Sequence, residues 1–120
     1  MRVLILWFLV NTVLLAHGQI RVIDDMGREI VLNQPAQRIV SLAPHLTELV
    51  YAAGAGDQLK AVVSYSNYPA AAKALPQVGS YKFVNYEALL ALKPDLVLTW
   101  HSGNGDEIVQ RLQELGFTYY

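Results

Sequence analysis

Asn85–Asn104 reads NYEALLALKPDLVLTWHSGN. Its first half predicts a short helix capped by Asn85, Lys93-Pro94-Asp95 breaks it, and Leu96 to Thr99 follows as a strand. Leu96, Val97 and Leu98 are apolar in succession, without the alternation of a half-exposed strand. Such a run suits a strand covered on both faces, as in a parallel sheet flanked by helices. Trp100, His101 and Ser102 then fall in a loop at the strand's carboxyl end. Open parallel sheets bind ligands beyond the carboxyl ends of their strands, which makes Trp100 the first candidate contact.

The flanking sequence repeats this grammar. Arg38 to Ala43 reads as a strand and Pro44 to Ala53 as a helix, with proline at the first helical position, where its missing N–H costs nothing. Leu46, Leu49, Val50 and Ala53 are expected on one inward face, and Gly54 stops the helix. Leu59 to Ser64 predicts a strand, Tyr65 to Pro69 a loop, Ala70 to Leu75 a short helix and Pro76 to Ser80 a brief strand. Downstream, Gly103 to Asp106 leads into a helix with Ile108, Leu112 and Leu115 inward and Glu107 paired with Arg111 at i, i+4. Gly116 ends that helix, and Phe117 to Tyr120 begins another strand.

This alternation predicts an α/β fold with a small parallel sheet flanked by helices. Ahead of it, Arg21 to Ile23 and Glu29 to Leu32, separated by turn-rich Asp24 to Arg28, predict a short β-hairpin. It is expected to be an arm covering a sheet edge. Gly54-Ala55-Gly56 lacks a third glycine and follows a helix rather than a strand, so it reads as a helix stop and not as a dinucleotide fingerprint.

The first eighteen residues have the grammar of a leader. Arg2 supplies the charge, Val3 to Leu15 the apolar core, and Ala16-His17-Gly18 the small residues of a cleavage site. The apolar run is shorter than the roughly 20 residues a membrane span needs. Residues 1–18 are therefore expected to be a signal peptide, with Gln19 opening an exported, periplasmic protein. The chain has no cysteine, which excludes disulfides, thiolate metal sites and a lipoprotein anchor. Its net charge of −1 gives no clustered basic footprint for nucleic acid. Residues 19–120 are of a size to form one domain, or one lobe of something larger, and a chain ending on a freshly entered strand is expected to be a fragment.

The residues following the strands are Ser41 to His45, Ser64 to Tyr68, Ser80-Tyr81 and Thr99 to Ser102. They gather Tyr65, Tyr68, Tyr81, Trp100, His45 and His101. Rings with polar tips suit a bulky, partly planar ligand, although each tyrosine taken alone is equally a packing residue. Arginine forks and glycine-rich amide cradles, the usual marks of a phosphate or polycarboxylate site, are missing, and Lys82 is the one cation in these loops. Ser41 and Ser102 offer hydroxyls and His45 and His101 bases. No G-x-S-x-G elbow accompanies them, and no dense histidine–carboxylate cluster marks a metal site. Neither catalysis nor a metal is therefore expected. Glu87 fits the first turn of a helix, where the dipole favours it, and equally an exposed carboxylate for a partner.

Three segments carry a family resemblance: Arg38-Ile39-Val40-Ser41-Leu42-Ala43-Pro44 with Thr47-Glu48-Leu49; Ser64-Tyr65-Ser66-Asn67-Tyr68-Pro69; and Leu92-Lys93-Pro94-Asp95-Leu96-Val97 with Trp100. Together they resemble the iron and cobalamin class of periplasmic substrate-binding proteins, and within it the cobalamin carriers of ABC importers. The resemblance covers nearly all of residues 19–120 but only the amino-terminal lobe of the class, without the linking helix and second lobe. It implies that Tyr65, Tyr81 and Trp100 contact cobalamin or a related corrinoid, with Tyr81 standing where tryptophan is frequent. It also implies that Glu87 pairs with arginine on the membrane subunits of the importer. The protein is then expected to be a monomer without catalytic role or resident cofactor, with haem or a ferric siderophore as the alternative ligand and a small secreted hydrolase as the remote one.

Overall fold

A computed structural model describes residues 18–120. Apart from Gly18, the expected leader lies outside the described residues.

Two sheets form. β1 (Ile20–Ile23) and β2 (Glu29–Leu32) pair antiparallel as the predicted hairpin. β3 (Ile39–Ser41) is flanked on one side by β4 (Leu59–Ala61) and on the other by β5 (Leu96–Leu98), both parallel to it. Parallel bridges extend this sheet outward, Val62 to Gln77 on one side and Val97 to Tyr119 on the other. Across the sheet the chain segments therefore run third, second, first, fourth, fifth. That is the doubly wound order, whose reversal point lies between the first and fourth strands, here β3 and β5.

The two outer segments are shorter than expected. Pro76 to Ser80 and Phe117 to Tyr120 each contribute a bridge and a few backbone bonds rather than a full strand, and Leu59 to Ser64 is regular only to Ala61. Ala70–Ala74 forms a 3-10 helix. The run between Pro69 and Pro76 is short, and tighter i→i+3 bonds suit such short pieces.

Helix α1 (Pro44–Ala52) follows β3 and begins on its proline, as read. Its inward face differs from the one expected: Thr47 and Val50 are buried, while Leu49 is 60% exposed. The cause is polar. The Thr47 hydroxyl lies 3.0 Å from Ser41 Oγ and 3.4 Å from Ser66 Oγ, and Ser41 Oγ donates to the Ala43 carbonyl at 2.9 Å. A satisfied hydroxyl chain can be buried at little cost and turns the helix by a position that apolar periodicity does not register.

α2 (Tyr86–Leu92) is capped as predicted, Asn85 Oδ1 accepting from the Ala88 N–H at 3.1 Å. Lys93 ends it in the left-handed conformation. Asp95 then accepts from the N–H groups of Gln37 and Arg38, both at 2.8 Å, and fastens the start of β3. The Lys93-Pro94-Asp95 break is thus also a clamp between β3 and β5. Trp100 to Ser102, expected as loop, instead enters a short helix, α3 (His101–Asn104), before α4 (Asp106–Glu114). Ile108 and Leu112 of α4 are buried as read, but Arg111 pairs with Glu114 at 3.3 Å rather than with Glu107. Its guanidinium is drawn over the Tyr86 ring, 5.9 Å from the centroid.

The core lies on both sheet faces. Val40, Leu42 and Val97 pack with Leu89, Ile108 and Leu112 on one side, and Ile39 and Val62 with Val50 on the other. The hairpin covers the outer edge as expected. Arg28 donates to the Tyr119 carbonyl at 2.9 Å and stacks 3.7 Å above the Tyr119 ring.

Candidate functional site

Because the sheet segments run parallel, the loops after residues 42, 63, 79 and 99 emerge at one edge. The aromatic residues singled out from the sequence lie on these loops, and the structure brings some of them into contact. Trp100 follows β5 and His45 lies in the first turn of α1 after β3, so the two stand on either side of the reversal point. Their rings meet edge to face with centroids 5.0 Å apart. Tyr81 approaches Trp100 from the next loop at 5.8 Å, tilted by 39°. Lys82 lies over the Tyr81 ring at 5.5 Å.

Tyr65 makes no ring contact with this group. Its loop is tied to the Tyr81 loop one residue earlier, where the Ser64 N–H and hydroxyl donate to the Gly79 carbonyl at 2.8 and 3.0 Å. Tyr65 is 81% exposed and has φ 67°. A tyrosine held left-handed costs roughly 1–2 kcal/mol, and here it presents the ring to solvent instead of to the core. Tyr68 and Phe83 are also exposed on these loops. The loops at this edge thus carry a rim of exposed rings beside the Trp100 group.

Glu87, in the first turn of α2, is exposed. Asn85, two residues earlier, donates to the Val78 carbonyl, so the helix starts at the aromatic edge, and Asp95 shows that it ends at the opposite one. Glu87 and Trp100 therefore share an edge of the sheet.

Of the remaining candidates, Ser41 and His101 are engaged by neighbouring groups and Ser102 is exposed. Ser41 is fully buried with its hydroxyl donated to a carbonyl, which leaves it no access to a substrate. His101 Nε2 lies 3.2 Å from Asp106 Oδ1 on an exposed surface. Among the described residues no three metal-capable side chains gather.

Two residues of the site escaped the sequence reading. Asn104, buried, donates from Nδ2 to the Leu42 carbonyl at 2.9 Å and the Tyr81 carbonyl at 2.7 Å, and its Oδ1 accepts from the Trp100 N–H at 2.6 Å. Gly103, also buried, underlies the Trp100 ring. In sequence both belong to Gly103-Asn104-Gly105, which has only the signature of a turn.

A cavity of about 680 Å³ adjoins the aromatic group on the α1 side, lined by Leu46, Leu49, Leu98, Trp100, His101 and Tyr119 among others. It shares His45 and Trp100 with the rim, but Tyr65 and Tyr81 do not line it. It is a gap along the sheet flank, separate in character from the face above the strand ends.

A family model described as "Periplasmic binding protein" matches residues 39–115. The vitamin B12-binding protein of Vibrio cholerae serotype O1 is 51% identical over 86 residues, covering 72% of this chain and 31% of the relative. That of Yersinia pestis is 49% identical over 87 residues, with the same coverage. Among solved structures, the periplasmic vitamin B12 binding protein BtuF of Vibrio cholerae is similar with a TM-score of 0.68 at 51% identity, covering 72% of this chain and 34% of that one. A periplasmic heme binding protein from Pseudomonas aeruginosa is similar with a TM-score of 0.65 at 32% identity, covering 71% and 30%. The chain spans about a third of the length of the curated relatives it matches.

Proposed function

The chain belongs to the periplasmic binding protein family, and we propose that residues 19–120 form the amino-terminal lobe of a cobalamin carrier for an ABC importer, exported to the periplasm by a cleaved leader at residues 1–18. The observation that carries the reading is the aromatic rim, Trp100 with Tyr81 and the exposed Tyr65, at the carboxyl edge of a doubly wound sheet. The 51% identity to vitamin B12-binding proteins supports the choice of ligand. A corrin is broad, largely flat and apolar on its faces, and rings with polar tips match it by stacking and neutral hydrogen bonds. Trp100 supplies the broad contact, Tyr81 an adjoining tilted wall and Tyr65 an outlying ring. Cobalamin is cargo in this scheme, and the protein acts by binding, as a monomer, with no catalytic residue and no resident cofactor.

Glu87 is the proposed docking carboxylate for arginine on the membrane subunits. Its exposed place at the edge that holds the ligand would let one approach present cargo and contact together. Haem is the second reading, favoured by the exposed Tyr65 phenol, which can ligate iron, and by similarity to heme-binding proteins.

Titration with hydroxocobalamin and with haemin separates the two. The expected result is saturable hydroxocobalamin binding, with a haemin spectrum that keeps the Soret position of the free compound. A shifted Soret band with no hydroxocobalamin binding would replace the corrinoid reading with the haem one.

A further inference from the structure

We propose that Gly103 and Asn104 are positioning residues that set the plane of the Trp100 indole for its ligand without touching the ligand themselves. The proposal rests on the ligand face assigned above.

Gly103 acts by leaving space. A Cβ built there would fall 2.0 Å from Trp100 Cε3, 2.3 Å from Cδ2 and 2.4 Å from Cζ3. The six-membered ring of the indole therefore lies directly on the Gly103 backbone. No left-handed φ accompanies Gly103, so an alanine there meets no conformational penalty. The three atoms nearest that Cβ all belong to the indole, which must swing away.

Asn104 fixes the other end of the same side chain, its backbone origin. The acceptor Oδ1 faces the Trp100 N–H and both Nδ2 hydrogens face carbonyls, so a single orientation of the amide satisfies all three bonds. The Asn104 N–H also donates to the Trp100 carbonyl at 2.7 Å. Trp100 is thus gripped through both its backbone N–H and its C=O. The Leu42 and Tyr81 bonds carry that grip to the loop preceding His45 and to the loop bearing Tyr81. Those are the two rings that flank the indole. One buried side chain therefore registers three loops against each other, and the glycine before it determines how low the indole sits among them.

The test uses the full chain carrying Trp7→Phe, in which Trp100 is the sole tryptophan. Gly103→Ala and Asn104→Ala are compared with this parent by near-UV circular dichroism, acrylamide quenching and equilibrium dialysis against cyanocobalamin. Gly103→Ala is expected to keep the parent's melting temperature, lose most of the tryptophan near-UV band, quench at least twofold more readily and bind about tenfold more weakly. Asn104→Ala is expected to show the same spectral changes. In a double-mutant cycle in the Trp7→Phe background, Gly103→Ala should cost almost nothing once Trp100→Phe has removed the ring it displaces, whereas an unrelated structural defect would add in full.

A parent-like near-UV band in Gly103→Ala, or additive losses in the cycle, would overturn the proposal. If Asn104→Ala fails to fold, Gly103→Ala alone decides. If the parent binds cyanocobalamin too weakly for dialysis to detect, as a single open face permits, the near-UV band and quenching of Gly103→Ala decide the proposal by themselves.

Discussion

Trp100 is 39% exposed although Gly103, His45 and Tyr81 all press on it, so its exposed face is held in place by its neighbours. Such a ring is a preorganised contact, which loses little side-chain entropy when a ligand settles on it. Trp100→Ala should therefore weaken cobalamin binding by at least tenfold, about 1.4 kcal/mol, with the fold intact by far-UV circular dichroism. Tyr65 is the opposite case, exposed on a left-handed backbone. Asparagine tolerates that conformation better than tyrosine, so Tyr65→Asn should raise the melting temperature slightly while lowering affinity. A lower melting temperature would mean that the Tyr65 ring supports the fold. The sequence displayed Trp100 and Tyr65 plainly, as aromatics after strands. It did not display Asn104, because an asparagine between two glycines has the same composition whether it lies in a solvated turn or is buried with three side-chain hydrogen bonds.

Among the elements, α1 and the hairpin show how far local pattern reaches. The existence and start of α1 followed from proline and spacing, yet its inward face did not, since Thr47 is buried against the hydroxyls of Ser41, on the preceding strand, and Ser66, on a separate loop. The hairpin was legible from its turn, and the turn also makes it acid-sensitive. Burial opposes the charge of Asp24, but the N–H groups of Arg28 and Met26 and the Arg28 guanidinium outweigh it and hold the carboxyl below its ordinary value. A depressed carboxyl stabilises fully above its unfolded pKa, about 3.9, and loses that contribution as pH falls through the lower folded value. Arg28 also reaches Tyr119, so hydrogen-exchange protection of the Ile20–Ile23 amides should fall below about pH 4 before that of Ile39 to Leu42. Asp24→Asn should loosen the hairpin already at neutral pH and flatten this acid dependence; an unchanged profile would show that the turn is held by other bonds. On α2, Glu87→Arg should leave ligand affinity unaltered and reduce stimulation of the importer, and lost ligand binding instead would contradict the docking role.

At the scale of the molecule, the order of the sheet segments places β3 beside β5 and so brings His45 to Trp100 across more than fifty residues of chain. The alternation of strands and helices was readable because apolar runs and proline or glycine stops are local. The order of strands was not, because it depends on which edges pair. That order produces an open aromatic face: every ring of the rim reaches it from the same sheet edge, and Tyr65, Tyr68 and Phe83 remain mostly in solvent. Ligand pockets that bind tightly bury about 70–90% of a ligand's surface, whereas a flat ligand resting on one face buries roughly half, and the other half stays hydrated. Residues 19–120 alone should accordingly bind cobalamin weakly, with a dissociation constant above about 10 μM, corresponding to less than about 7 kcal/mol. Joining them to a second wall of comparable area should tighten binding by several orders of magnitude, because the added apolar burial comes with little further loss of translational freedom. Isothermal calorimetry on the isolated segment measures this directly. Nanomolar binding by residues 19–120 would show that this one face, with the indole seated on Gly103, desolvates the corrin sufficiently by itself.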